Sequence, residues 1–101
     1  MESFVDFELT TGSVQLTLSF YRLNQLRAKH KKEYERYFAI QKANGPSTDL
    51  DALEIIYVAY LCANMEKMPD VMTWEEFLQV TPPSRKAVWQ AFNALYTNPK
   101  N

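Results

Sequence analysis

Cysteine, histidine and glycine are nearly missing from this chain: one Cys, one His and two Gly occur in 101 residues. With Cys62 alone no intrachain disulfide can form, so the fold must rest on packing, and a reducing compartment is expected. His30 is the only histidine and has no second cysteine to join it, which removes the ligand set of a structural zinc site. Gly12 and Gly45 stand far apart, so no glycine-rich phosphate loop is present. A dominant sign of charge is lacking too. The 11 Lys plus Arg face 12 Asp plus Glu, a net charge of -1, and no overall field draws the chain to nucleic acid or an anionic membrane. The longest apolar run, Ile55 to Ala63, is well short of the roughly 20 residues that cross a bilayer, so no membrane partner is expected. Met1-Glu2-Ser3-Phe4-Val5-Asp6 carries acids where an export signal has a basic flank and a long apolar stretch, so export is not expected either.

What is present is a hydrophobic content of 47%, enough for one core, and a single domain over 1–101 is expected. Val5, Phe7 and Leu9 alternate with polar residues before Gly12, as Val14, Leu16, Leu18 and Phe20 do after it. Period two on both sides of Thr10-Thr11-Gly12-Ser13 predicts a β-hairpin over about 4–19, whose apolar face needs helices to cover it. From Phe20 the spacing lengthens. Phe20, Leu23 and Leu26 make one helical stripe, continued by Tyr34, Tyr37, Phe38 and Gln41, over about 20–43. A break is placed in Lys29-His30-Lys31-Lys32, because an unbroken helix would set His30 on the apolar stripe. Asn44-Gly45-Pro46 terminates the segment.

Ser47, Thr48 and Asp49 offer caps for a central helix over about 49–66, apolar nearly all round from Leu50 to Met65. Lys67-Met68-Pro69-Asp70 reads as a loop, and Thr73 with Glu76 has the spacing of a capping box opening a short helix over about 73–79. Thr81-Pro82-Pro83-Ser84 separates it from a last helix over about 84–96, with Val88, Phe92 and Leu95 on one stripe and Trp89 and Tyr96 beside it. Residues 97–101 form a polar tail. The expected class is α+β, mainly α, with the N-terminal hairpin packed on a bundle of about four to five short helices.

Candidates for chemistry are few. Cys62 with His30 as its base is the one nucleophile pair on offer, but the most apolar segment is where a thiol packs rather than reacts. His30, among lysines and arginines, reads as a solvated surface residue. The pairs Asp49/Asp51 and Glu75/Glu76 could bind a cation, yet both stand in helix first turns, where the dipole alone favours acids. No enzymatic activity, cofactor or metal site is expected. Arg22, Arg27, Lys29, Lys31, Lys32 and Arg36, interleaved with Tyr21, Tyr34 and Tyr37, make segment 22–36 the best case for nucleic-acid binding. Glu33 and Glu35 interrupt it and the tyrosines fall at core spacing, so it reads first as a solvated helix face. A small nucleic-acid-binding regulator is the alternative it supports. Trp89 reads as core. Trp74, Phe77 and Leu78, on a short capped helix beside a loop, are the candidate partner-binding residues.

The chain carries Phe7-Glu8-Leu9-Thr10-Thr11-Gly12 with Leu16 and Leu18, then Leu23-Asn24-Gln25-Leu26-Arg27 and Glu33-Tyr34-Glu35-Arg36-Tyr37. Leu53 through Asn64 and Met72-Thr73-Trp74-Glu75-Glu76-Phe77 follow. This order resembles the tail assembly chaperones of phages and prophages of Gram-positive bacteria, encoded between the tail tube and tape measure genes. The resemblance spans nearly the whole chain and contains no catalytic signature. It implies a protein of the bacterial host cytoplasm, absent from the finished virion. Such a protein binds the phage tape measure protein, keeps it soluble and helps recruit tail tube protein subunits; self-association is left open. A long helix-rich tape measure exposes apolar stripes that self-associate unless small proteins cover them reversibly. The family commonly makes a longer product by ribosomal frameshifting, and Pro99-Lys100-Asn101 is compatible with a slippery A AAA AAC message. One departure from the family's pattern is the absence of Pro or Asp after Lys29, at the break between the first two helices.

Overall fold

The alternation at the start of the chain becomes an antiparallel pair, β1 (Val5–Leu9) and β2 (Gly12–Leu16), in a computed structural model that describes residues 3–67 and 70–97. Leu9 stands opposite Gly12, whose φ of 134° is a conformation open to glycine and strained for other residues. Phe7, Leu9 and Leu16 turn to the core, while Asp6, Glu8, Ser13 and Gln15 face water. The strand ends at Leu16, short of the expected 19. Thr17 is buried there, so its polar groups must find partners. Its N–H donates to the Ala59 carbonyl at 3.1 Å, and its hydroxyl donates to the Ser3 carbonyl at 2.6 Å.

Ser19 caps α1 (Phe20–Lys29), its Oγ accepting the Arg22 N–H at 3.1 Å. The break expected within 29–32 falls on His30 alone, at φ -135° and ψ 62°, and α2 (Lys31–Lys42) begins at the next residue. The His30 N–H still closes α1 on the Leu26 carbonyl, while its own carbonyl accepts from the Tyr34 N–H and opens α2. His30 is only partly solvated, its side chain 31% exposed with Glu33 at 3.9 Å. Phe20 is a second correction, being 92% exposed while Leu23 and Leu26 are buried. At about 100° per residue, Phe20 lies about 120° around the helix from Leu26, too far for one stripe. After α2, Asn44 takes φ 69° and the N–H groups of Gly45 and Asn44 return to the carbonyls of Ile40 and Gln41, a Schellman ending.

Thr48 caps α3 (Asp49–Ala63) through the Asp51 N–H at 3.0 Å, and every residue from Ile55 to Cys62 is buried. Leu50 is the exception to an all-round apolar helix, since it is exposed in the first turn. The helix ends at Ala63, before the expected 66, and a 3-10 turn over Met65–Lys67 follows. Around α3 pack β2, α1, α2 and α5 (Arg85–Thr97). Both halves of the capping box of α4 (Trp74–Val80) form: the Thr73 N–H donates to Glu76 Oε1 at 2.8 Å, and the Glu76 N–H donates to Thr73 Oγ1 at 3.2 Å. Phe77 is fully buried where hairpin, α3 and α4 meet, its ring 6.2 Å from Phe7, 5.3 Å from Tyr57 and 5.4 Å from Tyr60. The Tyr57 hydroxyl donates to the Met72 carbonyl, and the Tyr60 hydroxyl accepts the Met72 N–H, so both phenols anchor the approach to α4. Burial pushes the Tyr57 phenol up to about 12.

In α5, Val88 and Ala91 are buried, whereas Phe92 and Leu95 are half-buried. Trp89, expected in the core, is half-buried as well. Met68 and Pro69 of the expected loop, and residues 98–101 of the expected polar tail, lie outside the described residues; residue 97 belongs to α5. Among the described residues, no helix is long and apolar enough to cross a membrane.

Candidate functional site

The thiol of Cys62 is fully buried inside α3, which keeps it from any substrate in this conformation. Among the described residues no group of three His, Cys, Asp or Glu side chains could hold a metal ion. Of the acids singled out in helix first turns, Glu76 belongs to the capping box, and Asp51 and Asp49 have partners of their own. Asp51 accepts from the Ser47 N–H and hydroxyl, at 3.3 and 3.2 Å. Asp49 accepts from Trp89 Nε1 at 2.7 Å and Arg85 Nε at 2.8 Å, and so ties the start of α3 to α5.

The Trp89 bond first, and the Arg85 bond next, hold the Asp49 carboxyl below its ordinary 3.8. A carboxylate lowered on folding contributes stability above its unfolded value and loses it as pH falls through its folded value. In a Trp74→Phe background, Trp89 fluorescence should therefore change in acid with a midpoint below 3.8. Asp49→Asn should remove that step; a midpoint at or above 3.8 would show that the two bonds do not persist in solution.

The basic segment is divided between two helices, and four of its six cations have partners on the protein itself. Arg22 Nη1 donates to the Cys62 carbonyl at 2.7 Å, Glu66 is 3.8 Å from its other nitrogen, and Phe4 lies against the guanidinium. Arg36 sits 3.8 Å from Glu54. Arg27 donates to Asn24 at 2.9 Å, and Lys31 lies 4.0 Å from Glu35. Of the three candidate partner residues, Phe77 offers no surface. Trp74 and Leu78 are half-buried, with the Trp74 ring 5.5 Å from Tyr57.

A different face was missed by sequence reasoning. Phe20, Tyr21 and Phe38 are 92%, 70% and 52% exposed, and Tyr96 of α5 is exposed beside them. Phe20 forms a ridge between two contiguous hollows that share Leu23, Tyr37 and Gln41. One, of about 340 Å³, is completed by Leu18, Leu95 and Tyr96. The other, of about 360 Å³, is completed by Asn24, Arg27, Tyr34 and Phe38. Beneath them Gln41 Nε2 donates to the hydroxyls of Tyr37 and Tyr96, each at 3.1 Å, linking α2 to α5. The Tyr34 and Phe38 rings stack at 6.3 Å along the wall. The available signal was Phe20 directly after the Ser19 cap, since the first residue of a helix need not share the stripe of the next turns. No family model, curated protein or solved structure matches the chain.

Proposed function

We propose that this protein is a bacteriophage tail assembly chaperone, which binds the tape measure protein through the face around Phe20, keeps it soluble and helps recruit tail tube subunits. Its resemblance in sequence to such chaperones supplies the biology. The observation that carries the reading is the run of exposed rings on α1, α2 and α5 around two apolar hollows. Contiguous apolar surface of this kind marks a place for another macromolecule more often than an isolated exposed side chain does. The reading requires no reaction, cofactor or metal ion. It places the protein in the cytoplasm of the bacterial host.

Co-expression with the tape measure protein tests it. The expected result is a higher soluble yield of tape measure and a complex of the two proteins on purification. Unchanged yield with no complex would overturn the reading. A shift of DNA or RNA at low salt, lost steeply as salt rises, would favour a nucleic-acid-binding regulator instead.

A further inference from the structure

Resting on that reading, we infer that the Phe20 face takes one amphipathic helix of the partner, with its apolar stripe in the two hollows and acidic side chains on its flanks. The form of the occupant follows from what the face lacks. Helices α1, α2 and α5 present side chains and no sheet edge, so an extended peptide laid there would leave backbone groups unpaired against apolar rings. A helix pairs its own backbone and projects neighbouring side chains, about 5–6 Å apart, from one stripe. Two hollows divided by a single ring suit two such side chains.

The charge of the occupant follows from the surroundings. Arg27 is the one charged side chain lining either hollow, among the described residues. Residues 20–42 carry seven Lys and Arg against two Glu, in a chain whose net charge is -1. Arg27 and Lys42 are both exposed, the first about 20° around α1 from Phe20 and the second about 40° around α2 from Phe38, at about 100° per residue. Acids flanking a bound helix would meet these cations, whereas a basic helix would be repelled. A single-stranded nucleic acid fits less well: the aromatic rings of the hollows could stack on bases, but the backbone also needs a track of cations along the groove, and one arginine lines it.

Two synthetic peptides about 20 residues long, with one shared Leu/Phe stripe and flanks of Glu in one and Lys in the other, distinguish the outcomes with the full chain. The Glu-flanked peptide should bind about tenfold more tightly at low salt, with the gap closing at high salt. Phe20→Ser and Phe38→Ser should each weaken it about tenfold while leaving the circular dichroism spectrum unchanged, since both side chains are exposed. Equal binding of the two peptides, no binding of either, or binding that survives both substitutions would overturn the inference. So would finding a nucleic-acid oligomer or a second copy of the chain on this face. Peptide binding without any effect on tape measure solubility would keep this inference and overturn the chaperone reading. A tape measure complex left intact by Phe20→Ser would overturn this inference, and the Phe20 face as the docking site with it, while keeping the chaperone role.

Discussion

Replacing Phe77 by alanine is expected to lower the stability of the protein by about 3–5 kcal/mol, a large part of the total for a domain of this size. The ring is fully buried and touches Phe7 from the hairpin and Tyr57 and Tyr60 from α3. Truncation would leave a cavity lined by stiff aromatic rings that are themselves held. Tyr57 and Tyr60 are tied to Met72, so neither can swing into the space without breaking a hydrogen bond. Collapse of the cavity should therefore be small and the cost near the upper end. The check is urea unfolding, where the midpoint should fall with little change in slope. A loss below about 1 kcal/mol would show that the hairpin and α4 are not held together by this ring. The same experiment separates packing from recognition, because a side chain acting only at an interface would change binding and leave the midpoint in place.

Arg22→Ala should be the next most damaging change, at about 2 kcal/mol. The end of α3 explains why. Its last carbonyls have no partner within the helix, and each must find one elsewhere. Asn64 supplies two, its side-chain amide to Tyr60 at 2.8 Å and its backbone N–H to Leu61 at 3.1 Å. Arg22 reaches across from α1 to the carbonyl of Cys62, bringing positive charge to the negative end of the helix. Removing the guanidinium takes this hydrogen bond from the end of α3 and loosens α1 from α3. The ion pair with Glu66 contributes little, because it is long and Glu66 is exposed, so Glu66→Ala should cost under about 0.5 kcal/mol. Thermal unfolding of the two variants decides the matter: equal losses would place the effect in the ion pair and not in the carbonyl.

The hairpin was legible because alternation and a turn glycine are local signals, and both survive in the pairing of Leu9 with Gly12. The capping box at Thr73 and Glu76 was legible for the same reason, as its two bonds lie within four residues. The helix break was readable from the conflict that His30 would otherwise cause. What escaped was long-range. Arg22 looks like one more surface cation until a backbone carbonyl 40 residues away is brought beside it. Asp49 looks like a capping acid until α5 delivers Trp89 and Arg85 to it. The Phe20 face escaped for a further reason, since Phe20 and Leu23 share a three-residue spacing that is compatible with one stripe but does not require it. Phe77, Trp74 and Leu78 were chosen on the accessibility of a short helix, and the depth at which Phe77 sits depends on strands far away in the sequence.

The single residue between α1 and α2 also governs a dimension of the molecule. Phe20 stands on one arm and Phe38 on the other, while Leu23, Leu26, Tyr37 and Ile40 seat both arms in the core. With no linker beyond His30, the spacing of the two rings is set by one pair of backbone angles and by the seating of each arm. The arrangement works as a pair of fixed jaws. Lengthening the joint by one residue would alter the gauge of the jaws without touching a single ring, so the width of the aromatic face is encoded where there is no aromatic residue.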